Sequence, residues 1–239
     1  MIILKIVLVI IFISFVAGVT AIIFDLKKES PNKPNGFYER FGKRGIDAFL
    51  ATGALIVLSP VLLITAVLVR THLGAPILFT QERPGKDEKI FKLYKFRTMT
   101  DKTGDDGRLL PDAERLTKFG ALLRATSLDE LPELFNIVKG DMAIIGPRPL
   151  LVQYLPYYTE AEKHRHDVRP GLSGLAQVNG RNYLKWDERL AFDVEYVKEI
   201  TFLGDVRIVL RTIRKVFAKE DVAVDTDCVE TYLDIERRG

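Results

Sequence analysis

The chain opens with two long apolar runs, and its charged residues gather between and after them. Ile6 to Phe24 passes about nineteen residues without a charge, enough to cross the hydrocarbon core of a bilayer as a helix. A cleaved signal peptide is the rival reading, because Val19-Thr20-Ala21 loosely resembles a small-residue cleavage site. The run is long for that purpose and continues past Ala21. Asp25 to Arg44 then carries Lys27, Lys28, Lys33, Arg40, Lys43 and Arg44. By the positive-inside rule this side is cytoplasmic and the short N-terminus lies outside.

The second run, Ala48 to Val69, is also uncharged and long enough to span, yet basic residues flank both ends: Lys43 and Arg44 before it, Arg70, Arg83, Lys86 and Lys89 after it. A straight crossing would put one cluster in the wrong compartment. Ser59-Pro60 stands in its middle. Proline removes a backbone donor and clashes with the preceding turn, while a serine hydroxyl can satisfy the freed carbonyl. The pattern predicts a helix that enters and returns to the same face. An ordinary kinked transmembrane helix stays open as the alternative. Asp47, at the start of this helix, requires the headgroup layer or a partner such as Arg44.

Past Pro76 the period shortens. Ile77 to Thr80 and Ile90 to Phe96 are β-prone and flank Arg83-Pro84-Gly85-Lys86, which predicts a hairpin with a Pro-Gly turn. Thr100 to Asp112 is a polar loop that fails the calcium-loop pattern, since the sixth position counted from Asp101 is Asp106 where glycine is required. Ala113 to Arg124 has a helical pattern, with Leu116, Phe119, Leu122 and Leu123 on one face. The next helix, through Leu131, Leu134, Phe135 and Val138, ends at Lys139-Gly140. Ser127 or Asp129 is expected to cap it, and Pro132 must sit in its first turn. A helix containing Tyr154, Tyr157 and Tyr158, a glycine-rich stretch from Arg169 to Gly174, and a helix from Trp186 to Ile200 follow. Val206 to Lys219 is basic and amphipathic, suited equally to a membrane surface or to packing on the core with its charges solvated. No internal repeat or long linker divides the chain.

Composition narrows the classes. The 239 residues suit one domain with extra elements, and 35 Lys plus Arg against 32 Asp plus Glu is too mild an excess to argue for nucleic acid. Cys228 is the single cysteine, so an intrachain disulfide framework is excluded. His72, His164 and His166 have no cysteine partners and no helical metal-ligand spacing, which argues against zinc.

The adjacent acids Asp129 and Glu130 lie at a helix start, where carboxylates ordinarily cap free amides and complement the dipole. Their company gives them another meaning: Lys95, Arg97, Arg124, Arg148 between two prolines, and Arg181 in Asn179-Gly180-Arg181-Asn182. Arginine suits bidentate phosphate binding, and carboxylates beside such cations can hold a magnesium ion that also touches substrate phosphates. These residues point to phosphate chemistry beside a membrane and leave the substrate unnamed.

Residues about 43 to 219 resemble the bacterial sugar transferase family, the monotopic phosphoglycosyl transferases. The matching stretches are Lys43 to Asp47, Ser59-Pro60, Gln81 to Gly85, Lys92 to Met99, Thr126 to Gly140, Gly146-Pro147-Arg148-Pro149 and Val168 to Asn182. The resemblance implies an α+β, mostly helical, monotopic membrane protein with a re-entrant helix broken at Ser59-Pro60, interfacial helices and a small hairpin-containing core. With the anchor added, the expected organisation is a transmembrane segment at 1–26, a re-entrant helix at 43–70 and a cytoplasmic catalytic domain at 71–239, on the inner (plasma) membrane. It further implies a magnesium-dependent reaction in which Asp129 attacks the β-phosphate of a UDP-sugar. UMP leaves, and polyprenyl (undecaprenyl) phosphate takes the phosphosugar from the enzyme, the first membrane step of a surface glycan pathway. Glu130 matches the second acid of the family dyad, handling metal with Asp129 or handling protons. Lys95, Arg124, Arg148 and Arg181 match basic positions near the substrate phosphates. The sugar and the oligomeric state, including a homo-oligomer, stay open. The anchor departs from the smallest family members, and the tail from Asp221 matches no motif, so Cys228 and Tyr232 receive no role.

Overall fold

The computed structural model of the chain describes residues 38–180, 184–218 and 232–238. The expected anchor at Ile6–Phe24, together with Arg181 and Cys228, lies outside the described residues. A π-helical turn, Tyr38–Lys43, leads into α1 (Arg44–Val57), which breaks at Leu58 and resumes as α2 (Ser59–Leu73) at an angle of 64°. The break has the predicted chemical cause. Pro60 cannot donate to the carbonyl of Ile56, and the Ser59 hydroxyl donates to that same oxygen at 2.8 Å. No single helix among the described residues is long and apolar enough to cross a membrane, whereas the bent pair together has that length and composition. Ile56, Val57 and Leu63 are 70%, 75% and 67% exposed, so this face is left uncovered by the described residues.

After α2 the chain forms an antiparallel hairpin, β1 (Leu78–Pro84) and β2 (Ile90–Phe96), in register from Leu78 opposite Phe96 to Pro84 opposite Ile90. The turn falls later than Pro84-Gly85 suggests. Pro84 still pairs, and Lys86–Glu88 forms the turn, with Asp87 and Glu88 both at positive φ.

The helix predicted over Ala113 to Arg124 is two pieces, α3 (Asp112–Arg115) and α4 (Lys118–Ala125). Leu116 is drawn into an extended bridge with Met99, and the Thr117 hydroxyl then caps α4 by accepting from the Gly120 amide at 3.0 Å. Next come a 3₁₀ turn, Leu128–Glu130, and α5 (Glu133–Lys139), which starts after Pro132 and ends at Gly140 with φ 96°. Neither Ser127 nor Asp129 caps a helix as expected. Ser127 takes a left-handed conformation, φ 54°, which turns the chain before Asp129, and no side-chain cap bond forms at Ser127 or Pro132.

The remaining elements are β3 (Ala143–Ile145), a 3₁₀ segment Val152–Tyr157, α6 (Glu160–Lys163), a 3₁₀ turn His164–His166, β4 (Gly171–Ser173), α7 (Leu175–Asn179), α8 (Trp186–Lys198), α9 (Phe202–Ala218) and α10 (Leu233–Glu236). The tyrosine-bearing helix is thus a 3₁₀ segment containing Pro156, with Tyr158 outside it. The glycine-rich stretch is a strand parallel to β3, Ala143 facing Gly171 and Ile145 facing Ser173. Gly146, Gly171 and Gly174 bring these backbones so close that an added Cβ at any of them would overlap main-chain atoms.

α8 lies between two apolar clusters. On one side are Leu150, Tyr154, Tyr158, Trp186, Leu190 and Leu233; on the other are Ile145, Val168, Val178, Tyr196, Val197 and Ile208. A third cluster, with Ala51, Leu93, Leu134, Ile137 and Met142, seats α1 on β2 and α5. Arg44 reinforces that seat by donating to the Ile137 and Val138 carbonyls at the C-terminal end of α5, where the helix dipole is negative. Lys43, rather than Arg44, is therefore the partner of Asp47, at 3.6 Å. Lys43 also binds Asp205 at the start of α9, and the Tyr38 and Tyr196 hydroxyls donate to the same carboxylate at 2.9 and 2.8 Å. The described part of the tail unmatched in sequence, residues 232–238, is anchored: Leu233 is fully buried, and Arg237 spans Glu162 (2.6 Å) and Asp187 (2.7 Å).

Candidate active site

Three segments bring their charges to one cleft. β2 presents Lys95, the 3₁₀ turn presents Asp129 and Glu130, and the turn after β3 presents Arg148. The Lys95 ammonium donates to Glu130 Oε1 at 2.7 Å and lies 3.1 Å from Glu133 Oε1; the Arg148 guanidinium reaches the same Glu130 oxygen at 3.0 Å. Asp129 is buried, yet no hydrogen bond from the described residues reaches its carboxylate. Arg124, near the end of α4, is steadied by its Nε donating to Thr98 Oγ1 at 3.2 Å.

The three carboxyls respond differently to this setting. Burial, helped by the neighbouring Glu130 charge, raises the Asp129 pKa against the opposing pull of Lys95, Arg124 and Arg148. Burial acts on Glu130 as well, but Arg148 and Lys95 outweigh it and hold that carboxyl well below the usual range. Glu133 is pushed up to about 7, first by burial and, against the field of Lys95, by Glu130. In this trio Glu130 holds its charge most firmly and Glu133 its proton, while no described residue donates to Asp129.

The cleft encloses about 740 Å³ and is lined by Lys95, Arg124, Asp129, Glu130 and Arg148, four of them residues that carry the motifs' charge and the fifth the uncommitted acid. Sequence reasoning missed Arg83, Gln177 and Asp193 on the same walls, and Glu133 beneath Lys95. Glu133 stands four residues after Asp129, one helical turn on, and that spacing was the available signal. Arg97 also lines the cleft, but its guanidinium is already committed: it donates to the Met99 and Ala75 carbonyls at 2.9 and 2.8 Å and pairs with Asp101 at 2.6 Å, stapling β2 to its neighbours. A second, almost wholly apolar groove of about 1010 Å³ lies in the crook of the bent helix, lined by Leu55, Ile56, Leu62, Pro132 and Phe135. It meets the charged cleft at Leu78 and Phe96, which border both.

Among the described residues no group of three His, Cys, Asp or Glu side chains is placed to cage a metal. Magnesium, however, is ordinarily held by one or two carboxylates while substrate phosphates complete its shell. Asp129, which accepts no hydrogen bond from the described residues, and the second oxygen of Glu130 fit that donor set.

Comparison with known proteins places the chain in a family. The profile of the family described as bacterial sugar transferase matches residues 38–219. The chain is 48% identical over 180 residues to the uncharacterized sugar transferase EpsL of Bacillus subtilis, covering 75% of this chain and 89% of that protein. It is 40% identical over 189 residues to the exopolysaccharide production protein ExoY of Sinorhizobium fredii, covering 72% and 83%. It is also 39% identical over 193 residues to the UDP-glucose:undecaprenyl-phosphate glucose-1-phosphate transferase of Escherichia coli, covering 76% of this chain and 41% of that larger protein.

Proposed function

The chain belongs to the bacterial sugar transferase family, and on that premise we propose that it moves a sugar-1-phosphate from a UDP-sugar to polyprenyl phosphate through a covalent intermediate on Asp129. The observation that carries this reading is the state of Asp129: a buried carboxylate to which no described residue donates a hydrogen bond, beside Glu130, one oxygen of which takes both Lys95 and Arg148. A nucleophile must keep a lone pair free, and raising its pKa makes it a better one.

In the first half-reaction an Asp129 carboxylate oxygen attacks the β-phosphorus of the UDP-sugar. The bond from that phosphorus to the bridging oxygen breaks, and UMP departs with the electron pair. The sugar phosphate stays on the enzyme as an acyl phosphate. In the second half-reaction an oxygen of polyprenyl phosphate attacks the same phosphorus, giving polyprenyl diphospho-sugar and freeing the carboxylate. Lys95, Arg124 and Arg148 line the cleft and supply the positive field that three phosphate groups need. Asp129 and Glu130 would hold magnesium, which when bound supplies Lewis-acid neutralisation of the diphosphate. Glu130, tied to Lys95 and Arg148, keeps both cations in place when the cleft is empty.

The acceptor side follows from the apolar groove. Its border with the charged cleft at Leu78 and Phe96 suits a molecule with a phosphate head and a hydrocarbon tail. The bent pair α1–α2, with its uncovered apolar face, is read as a re-entrant membrane element that opens this groove to lipid on the cytoplasmic face. α9 is read as lying on the same interface, because Leu210 and Ile213 are exposed while Asp205 and Ile208 face inward. The E. coli and Klebsiella pneumoniae relatives are named for undecaprenyl phosphate, which supports that carrier as acceptor and a glycan-assembly pathway as destination.

The test is the identity and timing of the nucleotide released by the full chain in membranes. UMP should appear in one burst without acceptor, and labelled sugar with its phosphate should stay on the protein until polyprenyl phosphate is added. Stoichiometric UDP would sink the reading. UMP that appears only with acceptor, and no labelled protein, would replace it with direct transfer.

A further inference from the structure

The segment Pro147-Arg148-Pro149 presents Arg148 to Glu130, and its backbone is held in an unusual way. Neither proline has an N–H to give, and a residue before proline is confined to extended conformations. Its three successive carbonyls are each taken by a different donor. The Gly171 amide donates to Pro147 O at 2.9 Å, the Arg165 guanidinium to Arg148 O at 2.6 Å, and the Arg83 guanidinium to Pro149 O at 3.2 Å. Arg83 lines the cleft and can meet substrate itself, but Arg165 does not line it.

Arg165 and Asp193 form the most deeply buried ion pair described, with side chains 1% and 3% exposed. Two nitrogens of Arg165, Nε at 3.1 Å and a terminal one at 2.8 Å, converge on one oxygen of Asp193, and the terminal nitrogen that binds Asp193 also binds the Arg148 carbonyl. A cation is costly to bury, and the pair alone is weak evidence for stability. What it does in this fold is fix the angle of a planar guanidinium against the main chain at Arg148. Lysine could keep the charge but not that fixed plane.

We propose that Arg165, oriented by Asp193, is a positioning residue: it holds the main chain at Arg148 so that the Arg148 guanidinium meets the substrate's phosphate. The pair thereby acts on transfer without touching substrate through Arg165. This rests on the reading that Arg148 binds phosphate of a UDP-sugar.

The experiment is a double-mutant cycle on the full chain in nanodiscs, with UDP-glucose, UDP-galactose and UDP-N-acetylgalactosamine as donors and total nucleotide released as the readout. Arg165→Lys should lower kcat/KM about 100-fold, the scale of a small misplacement of a catalytic contact. In an Arg148→Lys background the same change should cost less than threefold, since the planar contact it positions is already gone and a lysine's flexible stem delivers only a charge. In an Arg124→Lys background it should keep its full effect, because Arg124 is held separately by Thr98. A multiplicative loss with Arg148→Lys would show that Arg165 merely supports the fold and would overturn the proposal.

Should Arg165→Lys fail to fold, the joint replacement Arg165→Met with Asp193→Leu removes both buried charges, a change that proteins often tolerate. It should fold and still lose activity, with the same insensitivity in the Arg148→Lys background; wild-type kcat/KM there equally overturns the proposal. If wild type releases UDP in place of UMP, the transfer mechanism fails, while the Arg165–Arg148 coupling remains measurable and stands or falls separately.

Discussion

At Asp205, the Lys43 ammonium and two tyrosine hydroxyls converge on one buried carboxylate; at Asp129, a carboxylate almost as buried receives no hydrogen bond from the described residues. The first cluster joins three parts of the chain, Tyr38 before α1, Tyr196 in α8 and Asp205 in α9, and both oxygens of Asp205 have donors. The second contains more charge and less satisfaction. Lys95 and Arg148 crowd onto one oxygen of Glu130, and Asp129 has Lys95, Arg124 and Arg148 near it but none of the three bonded. A cluster that only holds the fold gains by closing every valence. One that reacts must leave an acceptor open, and the cost is borne as a raised pKa.

The sharpest way to break this contrast is Asp129→Asn. We expect turnover to fall by at least about 10⁴-fold, because an amide cannot form the acyl phosphate. The melting temperature should hold or rise, since an unpaired buried charge has been removed. Near-wild-type UMP release from the folded variant would return Asp129 to the role of a structural acid. Asp205→Asn should behave in the opposite sense. It leaves Lys43 with only Asp47 at 3.6 Å, so stability should drop on the order of 3 kcal/mol, read from urea unfolding, with activity per folded molecule kept. Loss of activity without loss of stability would mean the two clusters are not functionally separate.

Glu133→Gln refines the comparison through pH. A carboxyl whose pKa is raised from 4.5 to about 7 binds its proton more tightly folded than unfolded. Its burden on stability is therefore absent below pH 4.5, grows between 4.5 and 7, and is full above 7. The variant should gain on wild type across that window, by on the order of 2–3 kcal/mol at the plateau. Melting curves from pH 4 to 8 test it, and a difference that does not change with pH would place the proton elsewhere.

The motifs were legible because their chemistry is local. Ser59-Pro60 announces a break, and the hydroxyl is found on the carbonyl that the proline abandons. Lys95, Arg124, Arg148 and the acidic pair were named from sequence and share one cleft, and the mostly helical α+β character matched as well. What stayed hidden depends on neighbours distant in the chain. Leu116 reads as helical by period, but Met99 pulls it into a bridge. The glycine-rich stretch carries no strand propensity, and becomes β4 only because β3 offers it a backbone partner. Arg165 and Asp193 are 28 residues apart, with no pattern linking them before the fold does. The tail's grip through Leu233 and Arg237 is equally a matter of tertiary context.

The close approach of Gly146 to Gly171 and Gly174 bears on how variation in this protein should be interpreted. At these positions two stretches of main chain touch with no side chain between them, and there is no rotamer to yield when a methyl group is added. A saturation survey scored by growth or glycan output would mark all three glycines as intolerant, just as it would mark Arg148 a short distance away. The two kinds of intolerance part company only by substitution spectrum. Arginine's place should accept lysine with partial output, because a charge is still delivered, whereas alanine, the smallest possible change, should already be too much for the glycines.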